Sequence, residues 1–211
     1  MDKVVKPRRT YDSRLRQAQA HETRRRVLET ARTLFLARGY NAVTMADIAN
    51  EAGVAYQTVY AAFGSKLQLT QQIIWTTFDV AGIDDVLGEA RASPDSNDWL
   101  RSAARAARLV NDHLAGLLRF LQESGDPELL NEHRTVQARR REQETELATR
   151  LHKQGQLPDG LDRDQALDVL WVLTGSHIYE DLVTFRGWPV DRYETWLGNT
   201  LISQLIADPP R

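Results

Sequence analysis

Apolar residues along this chain recur at three- and four-residue intervals, and strict alternation is scarce, so the pattern predicts helices nearly throughout. A first helix is predicted over 19–38, where Val27, Leu28, Ala31, Leu34 and Phe35 share one face and Gly39 stands in the C-cap position. Thr44 opens a short helix. Asp47 sits at the capping-box spacing in place of the usual Glu, and Ile48 and Ala49 turn inward. Gly53 permits a sharp turn, and a second short helix runs from Ala55 or Tyr56 to Phe63 and Gly64, with Val59 and Phe63 one turn apart. Ser65 begins a longer helix carrying Leu69, Ile73 and Phe78.

The remaining two thirds repeats the helical pattern at greater length. After a turn-rich connection at 92–97, a helix over 99–123 presents Leu109, Val110, Leu114, Leu117, Leu118 and Leu121. A Gly-Asp-Pro break at 125–127 precedes a charged helix ending near Lys153. Asp162 or Asp164 can cap the next helix, which carries Leu167, Leu170, Trp171, Leu173 and Ile178. A Gly-Trp-Pro stop at 187–189 precedes a final amphipathic helix over 190–207. No internal repeat or low-complexity segment interrupts this order. The expected fold is therefore all-α. A three-helix module containing a helix-turn-helix, at 19–65, is fused to a larger antiparallel helical domain at 66–207. A basic flexible arm at 1–18, where Pro7 opposes an early helix, precedes them, and a short tail at 208–211 follows.

Charge sharpens this division. Residues 1–66 hold 12 Lys/Arg against 6 Asp/Glu, and the remainder holds 15 against 23. A small basic module ahead of a larger acidic one suits a polyanionic partner, although a solvated basic arm has the same composition. The absence of cysteine excludes disulfides, thiolate nucleophiles and thiolate metal sites. No signal-like segment and no apolar run of about 18 residues is present, so a cytoplasmic protein without a membrane partner is expected. There is no Walker loop, dinucleotide fingerprint, HExxH pattern or nucleophile signature. An enzyme is not expected, nor a cofactor or a metal.

The stretch 46–66, ADIANEAGVAYQTVYAAFGSK, resembles the DNA-binding signature of the TetR family of transcriptional regulators. Ala49, Gly53, Val54, Thr58, Val59, Tyr60, Phe63 and Lys66 carry the likeness, together with the preceding helix containing Ala31, Leu34, Phe35 and Gly39. Farther along, LWVLTGSHIYEDLVTFRGWPVDRYETWLGNTL resembles the two dimer-forming helices of one subgroup. The resemblance implies a homodimer on double-stranded operator DNA, with a C-terminal domain that pairs and encloses a small-molecule inducer. Repression relieved by an at least partly apolar ligand is the implied function. A ligand-independent activator or an architectural DNA binder is the alternative.

Chemistry ranks the candidate contacts. Gln57 can present donor and acceptor to a base edge, with Tyr56 and Thr58 beside it, although each also serves as an ordinary surface residue. Tyr60 and Lys66 match positions that often contact phosphates, while Thr44 either orients a phosphate or caps its helix. Phe63 and Val59 read as core. Ala55 replaces the Ser or Thr usual near the start of the family's recognition helix. Arg8, Arg9, Arg14 and Arg16 can follow phosphates or enter a minor groove, or belong to a mobile tail. Candidate ligand walls are Leu109, His113, Leu117, Phe120, Trp171, Leu173, Ile178 and Phe185, most of which also suit ordinary core. The resemblance assigns 164–185 and 190–207 to the dimer interface, with Leu167, Leu170, Trp171, Trp196, Leu197, Leu201, Leu205 and Ile206 as contacts or supports. A helix pair inside one monomer would bury the same faces.

Overall fold

The computed structural model describes residues 11–207, and among them every regular element is helical. The order is α1 (Tyr11–Arg38), α2 (Met45–Glu51), α3 (Tyr56–Phe63), α4 (Lys66–Val80), α5 (Ile83–Ala92), α6 (Ser96–Glu123), α7 (Pro127–Lys153), α8 (Arg163–Leu173), α9 (Ser176–Tyr179), a π-helical turn (Glu180–Phe185) and α10 (Val190–Leu205). The chain divides into two compact units at Ile73 and Ile74.

The first unit is built around short, well-terminated helices. Val27, Ala31, Phe35, Ile48, Ala49, Val59, Phe63 and Leu69 are buried together, so the predicted inward faces of the first four helices are those that pack. The expected flexible segment extends less far than its composition suggested. Residues 11–18 are already in α1, because nothing between Tyr11 and Ala18 breaks a helix and Pro7 lies before it. Arg8 and Arg9 lie outside the described residues; Arg16 is an exposed residue of α1. The boundary expected at 65/66 lies later. Leu69 and Ile73, in the first half of α4, bury themselves with the N-terminal unit.

The second unit gathers α5 to α10 around Trp99, Leu100, Leu147, Leu170, Tyr193, Leu197 and Leu201. Asp95, Asp126 and Asp162 cap α6, α7 and α8, accepting hydrogen bonds from the amides of Asn97, Glu128 and Gln165. Helix α5 stands where the hydrophobic pattern marked no separate element. Gly82 in the left-handed region and Asp84 and Asp85 in the first turn start it. The long helix expected from Asp164 through Ile178 is broken at Thr174 and Gly175, and its continuation relaxes into the π-helical turn.

Candidate functional site

The exposed face of α3 begins with its support. Thr44 and Asp47 form a reciprocal cap at the start of α2. The Asp47 amide donates to Thr44 Oγ1 at 3.1 Å, and the Thr44 amide donates to Asp47 Oδ2 at 2.8 Å. The Thr44 hydroxyl also donates to that oxygen, and these bonds hold the Asp47 carboxyl below its ordinary pKa. Gly53, at a φ of 66°, makes the turn, and the Val54 amide donates back to the Ala49 carbonyl. Helix α3 then starts at Ala55 without a side-chain cap, as the missing Ser or Thr implies. It ends at Gly64, whose φ of 71° suits glycine. An added Cβ there would lie 2.2 Å from Gln68 Oε1.

Val59 and Phe63 are the inward side of α3, and both are buried. Tyr56, Gln57, Thr58 and Tyr60, spread around the rest of the helix, are all exposed. The two tyrosine rings lie one turn apart and stack at 6.2 Å with 23° between planes, at 47% and 57% exposure. A row of hydroxyl and amide groups on a braced helix, free of acidic side chains, suits contact with base edges and phosphates. The residues of α3 expected to meet DNA are thus each accessible on the helix surface.

Lys66 sits differently. Its ammonium donates to the carbonyl oxygens of Tyr40 at 2.8 Å and Val43 at 2.9 Å, and lies 4.0 Å from the Tyr40 ring centre. It ties the start of α4 to the α1–α2 connection. Arg24 forms a second brace that sequence reasoning missed. It donates to the Ala62 carbonyl at 3.1 Å and to the Gln72 side chain, with its guanidinium 4.8 Å from the Phe63 ring centre. Its signal lay in the Arg24-Arg25-Arg26 run just ahead of the apolar stripe of α1. Arg25, by contrast, is paired with Glu22 and Glu29 at the surface.

The second unit contains a cavity of about 90 Å³. Its walls include Phe78, Ile83, Leu87, Val110, Leu118 and Leu170, with Ala103, Ala106 and Ala107 of α6 lining it as well. None of the eight residues expected as ligand walls lines it: Leu109, His113, Leu117, Phe120, Trp171, Leu173, Ile178 and Phe185 all lie elsewhere. The physical reason is that small side chains leave space, whereas the expected walls are mostly large side chains that fill it. Helix α6 packs against α5, α7, α9 and α10, so its apolar spacing does not single out one face. Leu117 is core, the His113 ring is tied to the Leu109 carbonyl at 2.9 Å, and Phe185 is 73% exposed.

Much of the polar part of the cavity comes from α7, the helix whose pattern is charged. Arg140 Nε donates to Glu144 Oε1 at 2.8 Å. Its other nitrogens reach Thr174 Oγ1 and the Trp171 carbonyl, and the guanidinium lies 4.3 Å from the Trp171 ring centre. The Thr174 hydroxyl donates to the same Glu144 oxygen at 2.6 Å. Among the described residues no group of three His, Asp or Glu is placed to hold a metal, and no helix is long and apolar enough to cross a membrane.

The expected dimer residues divide. Leu170, Leu197, Leu201 and Leu205 are wholly buried within the single chain, which suits supports beneath a pairing surface and not direct contacts. Leu167, Trp196 and Ile206 are only half-buried. Val172 and Phe185 are the large apolar side chains left uncovered on α8 and the π-helical turn, at 50% and 73% exposure.

Comparison with known proteins gives four findings. Residues 27–73 match the model for bacterial regulatory proteins, tetR family. The chain is 28% identical over 198 residues to the HTH-type transcriptional regulator SrpR of Pseudomonas putida, covering 92% of this chain and 90% of SrpR. It is 36% identical over 87 residues to the HTH-type transcriptional activator FasR of Mycolicibacterium smegmatis, covering 40% of this chain and only 38% of FasR. In fold it is similar to NalD, the secondary repressor of the MexAB-OprM multidrug efflux pump in Pseudomonas aeruginosa. That match has a TM-score of 0.69 and 19% identity, and covers 90% of this chain and 98% of NalD.

Proposed function

The chain belongs to the TetR family of bacterial transcriptional regulators, and on that premise we propose that it is a homodimeric, sequence-specific repressor released from a palindromic operator by a small, at least partly apolar compound. The observation that carries this reading is the α3 face. Tyr56, Gln57, Thr58 and Tyr60 stand exposed on a helix that Val59 and Phe63 anchor in the core. Gln57 reads a base edge, Tyr56 and Thr58 flank it, and Tyr60 donates to a phosphate. Thr44 presents the start of α2, and Lys66 adds positive charge while bracing the same unit. Arg8, Arg9, Arg14 and Arg16 supply nonspecific attraction along the duplex.

Pairing of two chains supplies the second half-site, and the uncovered Val172 and Phe185 support an apolar pairing surface. The cavity of the second unit receives the inducer. The work is done on chromosomal DNA in the cytoplasm. A genome-wide binding map should recover a recurring inverted repeat, and purified protein should retard that duplex and release it when the inducer is added. Recovery of only unrelated, sequence-independent sites would overturn the operator reading and leave an architectural DNA binder.

Polarity has a second reading, because FasR is named an activator. A promoter fusion in cells with and without the gene separates the two. Repression predicts higher output when the gene is deleted, and activation predicts lower output.

A further inference from the structure

Resting on the reading of the cavity as the inducer site, we propose that its ligand is an uncharged molecule about the size of a small ring that donates a hydroxyl hydrogen bond to Glu144. Glu144 is 7% exposed and lines the cavity. Its Oε1 is engaged by Arg140 and Thr174. Its Oε2 is buried and has no hydrogen-bond partner in the chain. A buried carboxylate oxygen left without a donor is costly, so a ligand that brings one gains more than its apolar contacts alone provide.

The surrounding charges decide what kind of donor fits. Arg140 is spent on Glu144, Thr174 and the Trp171 carbonyl, and its plane covers the Trp171 ring. The other two lining guanidiniums are also paired, Arg91 with Glu146 at 2.8 Å and Arg139 with Asp84 at 2.5 Å. An anionic ligand would have to strip Arg140 from Glu144. A cationic one would be desolvated in a wall whose charges already balance in pairs. A neutral hydroxyl answers the vacant acceptor without either cost.

Size points to the same class. An apolar cavity of about 150 Å³ holds benzene, and this one is about 90 Å³. A single ring fits with small side-chain movement, and the alanines of α6 set the width. Phenol, toluene, anisole and benzoate therefore form a diagnostic set. They share a ring and differ in carrying a donor, nothing polar, an acceptor only, and a negative charge.

Calorimetric titration of the full chain with these four probes is the test. Phenol should bind at least about tenfold more tightly than toluene or anisole, and benzoate should not bind measurably. In Glu144→Gln the advantage of phenol over toluene should fall below about threefold, with toluene affinity kept within about twofold. If that variant does not fold, the four-probe series on the unaltered chain decides alone. Ala107→Leu, which fills the cavity without touching the carboxylate, must then abolish phenol binding. Equal affinities for phenol and toluene, or tight benzoate binding, would overturn the donor assignment while keeping the cavity as a ligand site. Failure of all four probes to bind would overturn the cavity reading itself and the proposal with it.

Discussion

A lysine ammonium that holds two backbone carbonyls has less freedom to serve a phosphate, and that competition sets what Lys66 substitution should do. Lys66→Ala leaves the Tyr40 and Val43 carbonyl oxygens without their shared cation. The expected loss of stability is roughly 1–2 kcal/mol, measured as a lower urea midpoint. Binding should weaken similarly on several duplexes, with the salt slope reduced by up to about one phosphate equivalent. Gln57→Ala should do the reverse. Stability stays unchanged, and discrimination at one operator position falls by about 1–3 kcal/mol in isotherms on matched and single-base-changed duplexes. A destabilised Lys66→Ala protein with an unaltered salt slope would make Lys66 a brace only. At Asp47 the expected effect is pH-dependent. Bonds from Thr44 lower its folded pKa, so its contribution is present above the unfolded aspartate value of about 4 and is lost as pH falls through the lower folded value. The gap in urea midpoint between the unaltered chain and Asp47→Asn should hold steady from neutral pH to about 5, then shrink in acid.

Among the elements, α10 shows how burial narrows an expectation about assembly. Leu201 and Leu205 lie in the core beside Tyr193 and Leu197. Burial also raises the Tyr193 hydroxyl to a pKa of about 12. Leu201→Glu should therefore unfold the second unit, at a cost of several kcal/mol, roughly 3–5. Phe185→Glu should leave helicity and melting intact while dissociating the dimer. Sedimentation equilibrium with circular dichroism on both variants checks the pair. A folded monomeric Leu201→Glu protein would restore the original assignment. The reason α10 misled is general to its pattern, since one apolar stripe can face its own chain or a partner and spacing alone does not choose. Elements governed by local chemistry were legible. The cap at Thr44, the turn at Gly53, the inward Val59 and Phe63 and the Asp162 cap follow from side chains within one or two turns. The cavity was not legible, because it is made by alanines on α6 and by an Arg140–Glu144 pair that becomes buried only when α7 meets α8. Arg24 was hidden for a similar reason, as its partners Ala62 and Gln72 are 38 and 48 positions away.

For the whole molecule, regulation requires that inducer and operator favour different states of the same chain, and linkage makes that requirement measurable. Helix α4 begins in the DNA-binding unit and continues into the unit with the cavity, where its Phe78 is part of the wall. The expected coupling is about 1–3 kcal/mol, or roughly 5- to 150-fold in operator affinity. It must be reciprocal, with operator-bound protein binding the inducer more weakly by the same factor. Titrating inducer into free and operator-bound protein at fixed salt, and operator into free and inducer-saturated protein, closes the cycle. Ala107→Leu should remove the coupling by closing the cavity, with operator affinity in the absence of inducer within about twofold of the unaltered chain. Equal inducer affinity for the free and bound states would mean that occupancy shifts nothing, however tightly the compound binds. Release by induction would then be excluded, and a constitutive regulator would be the reading consistent with the α3 face.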